Sequence, residues 1–258
     1  MTDMSGAVTS YGVQLYSVRD ALAQDTAATL DRLAVIGFAN VEPFGFVERA
    51  DALGPALRNA GLSAPSGHNR VLSINAPVDR DAVFAAAARL GIGTVIDPFV
   101  PAEYWQDLDS IARTADALNE AAADAGRHGL RVGYHNHQWE LASVIDGTTA
   151  LELLAARLDP AVVLEVDTYW AAVGGADPVE LLHRLGDRVR YIHIKDGPAT
   201  ADIEAQLPAG QGVLPVLDIV DAAAALEVGV VEFDAYAGDV FDGVAQSLAF
   251  LRKGRADG

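Results

Sequence analysis

Two kinds of hydrophobic pattern alternate along the chain. Short apolar runs rich in Val and Ile are separated by longer Ala- and Leu-rich segments whose apolar residues recur with the period of a helix. The short runs predict strands that begin near eight positions: Tyr11, Asn40, Leu62, Thr94, Leu130, Val162, Arg190 and Val230. The longer segments predict helices, among them residues 26–36, 50–60, 81–90, 108–128 and 149–158. A strand followed by a helix, eight times over, is typical of the βαβ units of a parallel sheet.

Glycine, proline and acidic residues mark the ends of several helices. Gly61, Gly91 and Gly229 each stand where a helix is expected to stop before the next strand. Asp177 and Pro178, followed by Glu180, have the order of an N-cap, a first helical position and an acidic third residue. A helix is therefore predicted to start at Asp177.

The same units could build a closed barrel or an open doubly wound sheet. An open sheet that binds a dinucleotide carries a Gly-x-Gly-x-x-Gly turn after its first strand, whereas residues 14–17 here read Gln-Leu-Tyr-Ser. We therefore predict an α/β fold of the closed (β/α)8 type, a TIM barrel, for which 258 residues is a usual length. No linker interrupts the pattern, so one catalytic domain is predicted over residues 11–252, between a flexible N-terminus (1–10) and a tail (253–258).

Composition and charge exclude several classes of protein. The formal net charge of −18 disfavours nucleic acid and anionic membranes as partners, because both carry negative charge. The absence of cysteine excludes disulfides, thiolate zinc sites and a cysteine nucleophile. Residues 1–10 have no apolar run typical of a signal peptide, and no stretch is long and apolar enough for a membrane span. We expect a soluble cytoplasmic protein.

Polar residues collect where the predicted strands end, which is where a barrel of this type forms its active site. Four of the six histidines fall at strand ends, so a shared site is predicted there. The polar and aromatic residues at these ends are Gln14, Tyr16, Glu42, His68, Asn69, Asp97, His135, Asn136, His137, Glu140, Glu165, Asp167, Tyr169, Trp170, His193, Lys195, Glu232 and Asp234.

Lys195 is unusual in this chain, which has only one other lysine, Lys253, against sixteen arginines. Side chains alternate along a strand, so Lys195 and His193 point to the same face, with Tyr191 before them, while Ile192 and Ile194 face the helices. A buried lysine needs either chemistry or a negative partner. Lys195 is therefore interpreted as functional, and a structural salt bridge to Asp196 or Glu232 is the alternative.

Oxygen and nitrogen ligands from four strands are expected to converge above the barrel. Carboxylates from strands 6 and 8, an imidazole from strand 7 and one group from strand 5 suit Mn²⁺, Mg²⁺, Co²⁺ or Zn²⁺. An ion bound across adjacent oxygens of a hydroxy-ketone would acidify the neighbouring C–H and stabilise the enediolate. The candidates for the base or returning acid are His135, His137, Glu42 and Lys195.

Four segments resemble the sugar phosphate isomerase/epimerase family of xylose isomerase-like barrels, which includes inosose dehydratases, ketose 3-epimerases and 3-keto-sugar lyases. They are residues 12–19 (GVQLYSVR), 134–140 (YHNHQWE), 165–170 (EVDTYW) and 193–196 (HIKD), and the resemblance extends over about residues 11–250. It implies one divalent ion, first of all Mn²⁺, on Asp167, His193 and Glu232, with Glu140 or a histidine as the strand-5 ligand.

This chain lacks the glutamate ligand that the ketose epimerases have on strand 5. The difference favours the dehydratase and lyase branch of the family. There the resemblance implies a keto-polyol or 3-keto-glycoside substrate made by a partner sugar dehydrogenase. A phosphate site would need basic residues near the turn at Gly210 and Gly212, and these are scarce, so a neutral keto-sugar or keto-inositol is expected. The residues expected to bind it are Gln14, Tyr16, His68, Asn136, Trp139, Trp170 and Gln211.

Core packing explains the aromatic residues Trp105, Trp139, Tyr169 and Trp170 as readily as a wall for sugar rings. Two other functions stay open beside isomerisation, epimerisation or elimination by a metal enzyme. One is a non-catalytic sugar-binding barrel, which would not need the metal ligands or Lys195. The other is an endonuclease for abasic sites, which the negative charge disfavours. A homodimer is also possible.

Overall fold

The computed structural model describes residues 10–74 and 76–256. Eight parallel strands form one sheet in the order β2-β1-β8-β7-β6-β5-β4-β3. The strands are β1 (Ser10–Gln14), β2 (Asn40–Glu42), β3 (Ser66–His68), β4 (Thr94–Asp97), β5 (Arg131–His135), β6 (Val162–Asp167), β7 (Val189–Ile194) and β8 (Val228–Val231).

The two edge strands of this sheet, β2 and β3, meet and close the barrel through single bridges rather than a regular ladder. Asn40 pairs with Ser63, and Phe44 with His68. The His68 N–H donates to the carbonyl of Pro43 at 2.7 Å. The closed (β/α)8 barrel predicted from the sequence is confirmed.

Helices follow or precede the strands around the outside of the barrel. They are α1 (Arg19–Gln24), α2 (Thr26–Ile36), α3 (Ala50–Ala60), α4 (Arg80–Leu90), α5 (Leu108–Gly126), α6 (Trp139–Ala142), α7 (Ala150–Ala155), α8 (Thr168–Val173), α9 (Pro178–Leu185), α10 (Val216–Ala222) and α11 (Val240–Ala256). A two-residue antiparallel pair, Val144–Ile145 with Thr148–Thr149, lies between α6 and α7. Within the described chain, no helix is both long and apolar enough to cross a bilayer.

Most of the residues predicted to end or begin a helix do so in the structure. Gly61 and Gly91 take left-handed conformations, with φ of 69° and 75°, directly after α3 and α4. The Asp177 carboxylate accepts the N–H groups of Val179 and Glu180 and caps α9. The prediction for Gly229 is wrong, since this residue lies inside β8. A Cβ there would come within 2.9 Å of Ile194, so the glycine permits close strand packing instead of ending a helix.

Three predicted boundaries differ from the observed ones. The strand expected near Leu62 begins at Ser66, because Ser63 makes only a single bridge before the chain bends at Pro65. The helices predicted over 108–128 and 149–158 end at Gly126 and Ala155. Part of the segments predicted as a flexible N-terminus (1–10) and a tail (253–258) lies outside the described residues. Within them, β1 begins at Ser10 and α11 continues to Ala256.

Apolar side chains fill the middle of the barrel. A cluster of five apolar residues, Ile96, Val163, Tyr191, Val228 and Val230, packs in its middle. Ile192 and Ile194 belong instead to the larger core between strands and helices, so the predicted alternation along β7 is confirmed. At the amino ends of the strands, Arg131 donates two hydrogen bonds to Glu227, at 2.8 and 2.6 Å.

Candidate metal centre and active site

A cavity of about 590 Å³ opens at the carboxyl ends of the strands, as expected for this fold. Buried ionisable groups lie at its floor, and aromatic residues lie at its mouth. The lining residues are Tyr16, Phe44, Gly45, His68, Asn69, Arg70, Pro98, Phe99, His135, His137, Glu232 and Asp234.

Asp167, His193 and Glu232 offer ligand atoms that all lie within 4.8 Å of one another. All three are buried, and His193 Nδ1 is 2.6 Å from Glu232 Oε2. The two oxygens of Asp167 have different neighbours, because Asp167 ends β6 and also caps α8. Its Oδ1 accepts the Trp170 N–H at 2.9 Å, which leaves Oδ2 directed at the cluster.

Lys195 brings a positive charge to these carboxylates. Its Nζ lies 2.8 Å from Asp167 Oδ2, 2.7 Å from Glu232 Oε2 and 2.8 Å from Asp234 Oδ2. Burial lowers the pKa of Lys195, but the carboxylates of Asp167, Glu232 and Asp234 outweigh it and hold that pKa well above its usual value. Three carboxylates therefore converge on one position for a cation.

Asp196 is not a partner of Lys195, because alternation turns it to the opposite face. Its carboxylate accepts backbone N–H groups from four residues of the following loop, Gly197, Gly210, Gly212 and Leu214. Of the two salt bridges considered from the sequence, the structure contains the one to Glu232.

A second group of buried side chains lies beside the first and shares His193 with it. Glu165 Oε2 is 2.5 Å from His68 Nε2, 3.0 Å from His135 Nδ1 and 3.1 Å from His193 Nε2. This group also has the spacing of metal ligands. The sequence placed Glu165 among the polar residues at the strand ends but gave it no ligand role, although it lies two residues before Asp167 and therefore on the same face of β6.

Glu42 supports this second group and does not line the cavity. It accepts a hydrogen bond from Gln14 Nε2 at 2.8 Å and another from the Ser66 hydroxyl. It also lies 2.8 Å from His193 Nε2 and 3.1 Å from His68 Nε2. Burial raises its pKa, but the two histidines outweigh that and hold it below its usual value. The position indicates that Glu42 orients the two histidines.

Burial and neighbouring charge shift the pKa values of the buried histidines in two directions. Burial lowers the pKa of His68, but Glu42 and Glu165 outweigh it and raise that pKa to about 10. The pKa of His193 is likewise raised well above its usual value, because Glu165 and Glu232 outweigh burial. Burial and the charge of His193 hold the pKa of His135 well below its usual value.

His137 is the histidine best placed to accept a proton. Its ring stacks on Trp139 with centroids 4.5 Å apart, and the edge of Phe99 packs against it. Its Nδ1 is buried and has no hydrogen-bond partner among the described residues. Burial and the charge of Lys195 lower its pKa to about 4, so the ring is neutral near pH 7.

Glu140, expected as the strand-5 ligand, lies on α6 and points toward the loop before it. It accepts hydrogen bonds from the Tyr134 hydroxyl at 2.5 Å and from the His137 N–H at 3.0 Å. Burial raises its pKa to about 8. It belongs to neither group of potential ligands, whereas His135 Nε2 lies 3.8 Å from Asp167 Oδ2.

Two of the seven residues expected to bind substrate, Tyr16 and His68, line the cavity. The other five do not line the cavity, although the Trp170 ring centre lies 5.7 Å from Lys195 Nζ. Gln14 bonds to Glu42, Asn136 to the backbone of Asp167, Trp139 to the carbonyl of Val100 and Gln211 to Gln246, while Trp170 is buried in contact with Tyr169.

The aromatic residues that sequence reasoning missed are Phe44 and Phe99, which follow β2 and β4. Arg70 and Asn69, after β3, line the same cavity. Loop residues have no periodicity, so the only available signal was their position directly after a strand.

The residues at the cavity floor fit a divalent ion. Asp167 Oδ2 is buried and receives no hydrogen bond of good geometry, although Lys195 Nζ is near. Lys195 supplies a single positive charge to the three carboxylates of Asp167, Glu232 and Asp234, and a divalent ion would balance the negative charge that remains. Carboxylate oxygens combined with imidazole nitrogens are a usual ligand set for first-row divalent metals.

Comparison with known proteins identifies the family. The family model for the xylose isomerase-like TIM barrel matches residues 30–254. The chain belongs to this family. The resemblance seen in the sequence segments is thereby confirmed.

Individual relatives match either a short segment or the fold. Inosose dehydratase of Geobacillus kaustophilus is 40% identical over 93 residues, which are 36% of this chain and 27% of that protein. The chain thus spans less than a third of the length of this curated relative.

Two solved structures match nearly the whole chain. A sugar phosphate isomerase/epimerase from Parabacteroides distasonis has a TM-score of 0.81 at 24% identity, covering 98% of this chain and 96% of its own. A xylose isomerase-like barrel from Mycobacterium smegmatis, in complex with magnesium, has a TM-score of 0.72 at 16% identity, covering 95% and 96%. At these identities the two structures show the fold alone.

Proposed function

We propose that the protein is a divalent-metal-dependent enzyme that removes a proton from the carbon beside the ketone of a keto-sugar or keto-inositol. The observation that carries this proposal is the convergence of Asp167, His193 and Glu232 at the floor of an open cavity, with the neutral His137 beside them. The family match and the local similarity to an inosose dehydratase support a carbohydrate substrate.

The ligands in this proposal are Asp167, His193 and Glu232, with His135 as the strand-5 ligand in place of Glu140. A divalent cation held there supplies a positive charge that polarises the ketone and lowers the barrier to removal of the neighbouring proton. Carboxylate ligands suit Mn²⁺, which is therefore the first ion to test.

His137 acts as the base in this scheme, because the residue lines the cavity and its ring is neutral. Lys195 is the proton donor or the positive charge opposite the developing oxyanion, since its ammonium lies at the same carboxylates. Return of the proton to the other face gives an epimer, whereas departure of a group on the next carbon gives elimination. Oxidation of an alcohol by a dehydrogenase would have to supply the ketone.

Metal analysis of the purified protein tests the proposal first. About one equivalent of Mn, Mg, Co or Zn is expected in the parent and should be lost in Asp167→Asn and His193→Ala. Glu103→Gln, at an exposed position, is the control and should retain the metal. The loaded parent should also exchange the α-proton of a keto-inositol for deuterium in D₂O, and His137→Gln should retain metal but lose that exchange.

A parent that neither contains nor binds a divalent ion would contradict the proposal. The non-catalytic sugar-binding barrel would then be the better interpretation, and Asp167→Asn and His193→Ala would leave sugar binding unchanged.

A further inference from the structure

A second cleft lies at the amino ends of the strands, at the opposite end of the barrel from the candidate metal centre. It has a volume of about 750 Å³ and forms where α5 ends and where β5, β6 and β7 begin. We call it the amino-end cleft. Its lining is mostly small or apolar, but it also includes three arginines, Arg131, Arg188 and Arg190, and one acidic residue, Asp187.

Positive charge exceeds negative charge at this cleft, although the whole chain has a net charge of −18. The Glu227 carboxylate lies 2.6 Å from Arg131 Nη2 and 3.1 Å from Arg190 Nε, so two arginines share one partner. Within the described residues, neither Arg188 nor the exposed Asp187 has an ion-pair partner. Three guanidinium groups against two carboxylates leave one positive charge unbalanced.

Backbone carbonyls hold Arg188 in place without neutralising it. Its two terminal nitrogens donate to the carbonyls of Leu158, Asp159 and Val162, at 2.7, 3.1 and 3.4 Å. These carbonyls carry no net charge. A guanidinium has five N–H donors, so donors remain for a further partner. Arg188 is therefore a fixed cation at the edge of a cleft, and its charge is available to a ligand.

The other two arginines are placed by the strands on which they lie. Arg131 is the first residue of β5 and Arg190 the second of β7, and both of these strands pair with β6. Their side chains are each 36% exposed, so a ligand from solvent can reach them. Groups held by the rigid starts of strands lose little freedom when a ligand binds.

Planar guanidinium groups bind phosphate and carboxylate oxygens through paired N–H donors. We propose that the amino-end cleft is a binding site for a small oxyanion, the group that phosphate esters and carboxylic acids share, and that Arg131, Arg188 and Arg190 hold it. None of these residues belongs to the candidate metal centre, so the inference does not depend on the proposed function.

Glu227 is the group with which such an anion has to compete. Its carboxylate already occupies donors of Arg131 and Arg190. Glu227→Gln removes the negative charge and should strengthen binding of the anion several-fold. A residue that merely supported the fold would not produce a gain of binding when it is replaced.

Calorimetric titration of the protein as purified, at low ionic strength, tests the site. Sodium sulfate is the probe for a phosphate-type group and sodium succinate the probe for a carboxylate, with sodium chloride of equal ionic strength as the blank. The parent should bind at least one of the two with a Kd of about 1 mM, and the tighter one identifies the kind of oxyanion.

Two variants should weaken that binding by at least about fivefold. Arg188→Gln removes the unpaired charge. Ala161→Glu retains every arginine but adds a carboxylate at an exposed position of the cleft, so it tests the site even if Arg188→Gln does not fold. Arg58→Gln, at an exposed position on α3, is the matched control and should bind like the parent.

Absence of binding of both anions to the parent would overturn the proposal, and so would an affinity that survives in Arg188→Gln and Ala161→Glu. Weaker binding in Glu227→Gln would also contradict it. Binding that is lost in Lys195→Met but retained in Arg188→Gln would overturn it as well, because it would assign the anion to the floor of the other cavity.

Discussion

Lys195 is a single residue on which the charge of the whole cavity floor depends. Its ammonium faces Asp167, Glu232 and Asp234 at hydrogen-bonding distance, and only 2% of the residue is exposed. Three carboxylates at this spacing repel one another unless a cation lies between them. A divalent ion and Lys195 would therefore neutralise the same carboxylates. Each would change how much the other stabilises the fold.

Lys195→Met is expected to lower the free energy of unfolding of the metal-free protein by about 3–5 kcal/mol, because it leaves buried carboxylates without a cation. Added Mn²⁺ should recover part of that loss and stabilise the variant more than the parent. Thermal unfolding with and without Mn²⁺ measures both effects. The chain provides its own control, since Lys253→Met removes the other lysine, which is exposed, and should change neither quantity.

Glu140 is a residue whose burial predicts a pH dependence. Its pKa is raised to about 8 from 4.5, because it is removed from water. Between these two values the folded protein retains a proton that the unfolded chain releases. The contribution of Glu140 to stability is therefore complete below pH 4.5 and declines as the pH rises from 4.5 to about 8.

Glu140→Gln should flatten this decline, since glutamine has no charge to bury. Urea unfolding at pH 5, 6.5 and 8 makes the comparison, and Glu103→Gln should retain the slope of the parent. A parent whose stability increases from pH 5 to pH 8 by an amount that depends on Glu140 would contradict the assigned burial effect.

The loop between β7 and α10 is an element built around one carboxylate. Asp196 accepts four of its backbone N–H groups, and Gly212 lies so close that a Cβ would be 2.1 Å from Asp196 Oδ1. Gln206, from the same loop, donates to Asp234 at 2.7 Å and so connects the loop to the cavity floor. The order of this loop is therefore coupled to the position of a carboxylate beside Lys195.

Asp196→Asn should loosen this loop, because an amide nitrogen cannot accept the N–H groups that the carboxylate oxygen accepts. Hydrogen exchange of a peptide covering residues 207–215 is expected to speed up at least several-fold, while peptides from β4 and β5 stay unchanged. Asp202→Asn, which affects a single capping bond to Glu204, is the control. Unaltered exchange in Asp196→Asn would show that the loop is held by other contacts.

The regular elements were predictable from the sequence because their side-chain periods are short and repeated. Alternation placed His193 and Lys195 inside the barrel, and the strand ends collected His68, His135 and His137 at one rim. The same rule applied to β6 would have added Glu165.

Irregular segments escaped prediction for a physical reason. Phe44 and Phe99 lie in loops, where no period indicates which way a side chain points. Glu140 follows β5 closely in sequence, yet the turn into α6 directs it to Tyr134 and the His137 N–H. Gly229 resembled a helix stop, but the close packing of β8 on β7 decides its role.

At the scale of the whole molecule, the two ends of the barrel have different roles. The amino end is closed by Arg131, Glu227, Tyr191 and Thr94, which bond to one another and not to the cavity residues. Residues at that end of a barrel contribute to stability, whereas residues at the other end carry chemistry.

Glu227→Gln should therefore destabilise the fold without changing the metal content. The loss is expected to be about 1 kcal/mol, because the pair is one-third exposed and solvent screens it. Chemical unfolding and metal analysis of the same preparation check both halves of the statement. Loss of bound metal in this variant would show that the two ends are coupled.

The division of the cavity between β1–β4 and β5–β8 also has a consequence for engineering. Loops after the first four strands can be randomised as a set, since their side chains meet the ligand but hold none of the reacting groups. Under the proposed function, a library confined to these loops would alter which ligand is preferred and leave Asp167, His193, Glu232 and Lys195 unchanged. One barrel could then be adapted to new ligands without rebuilding its other half.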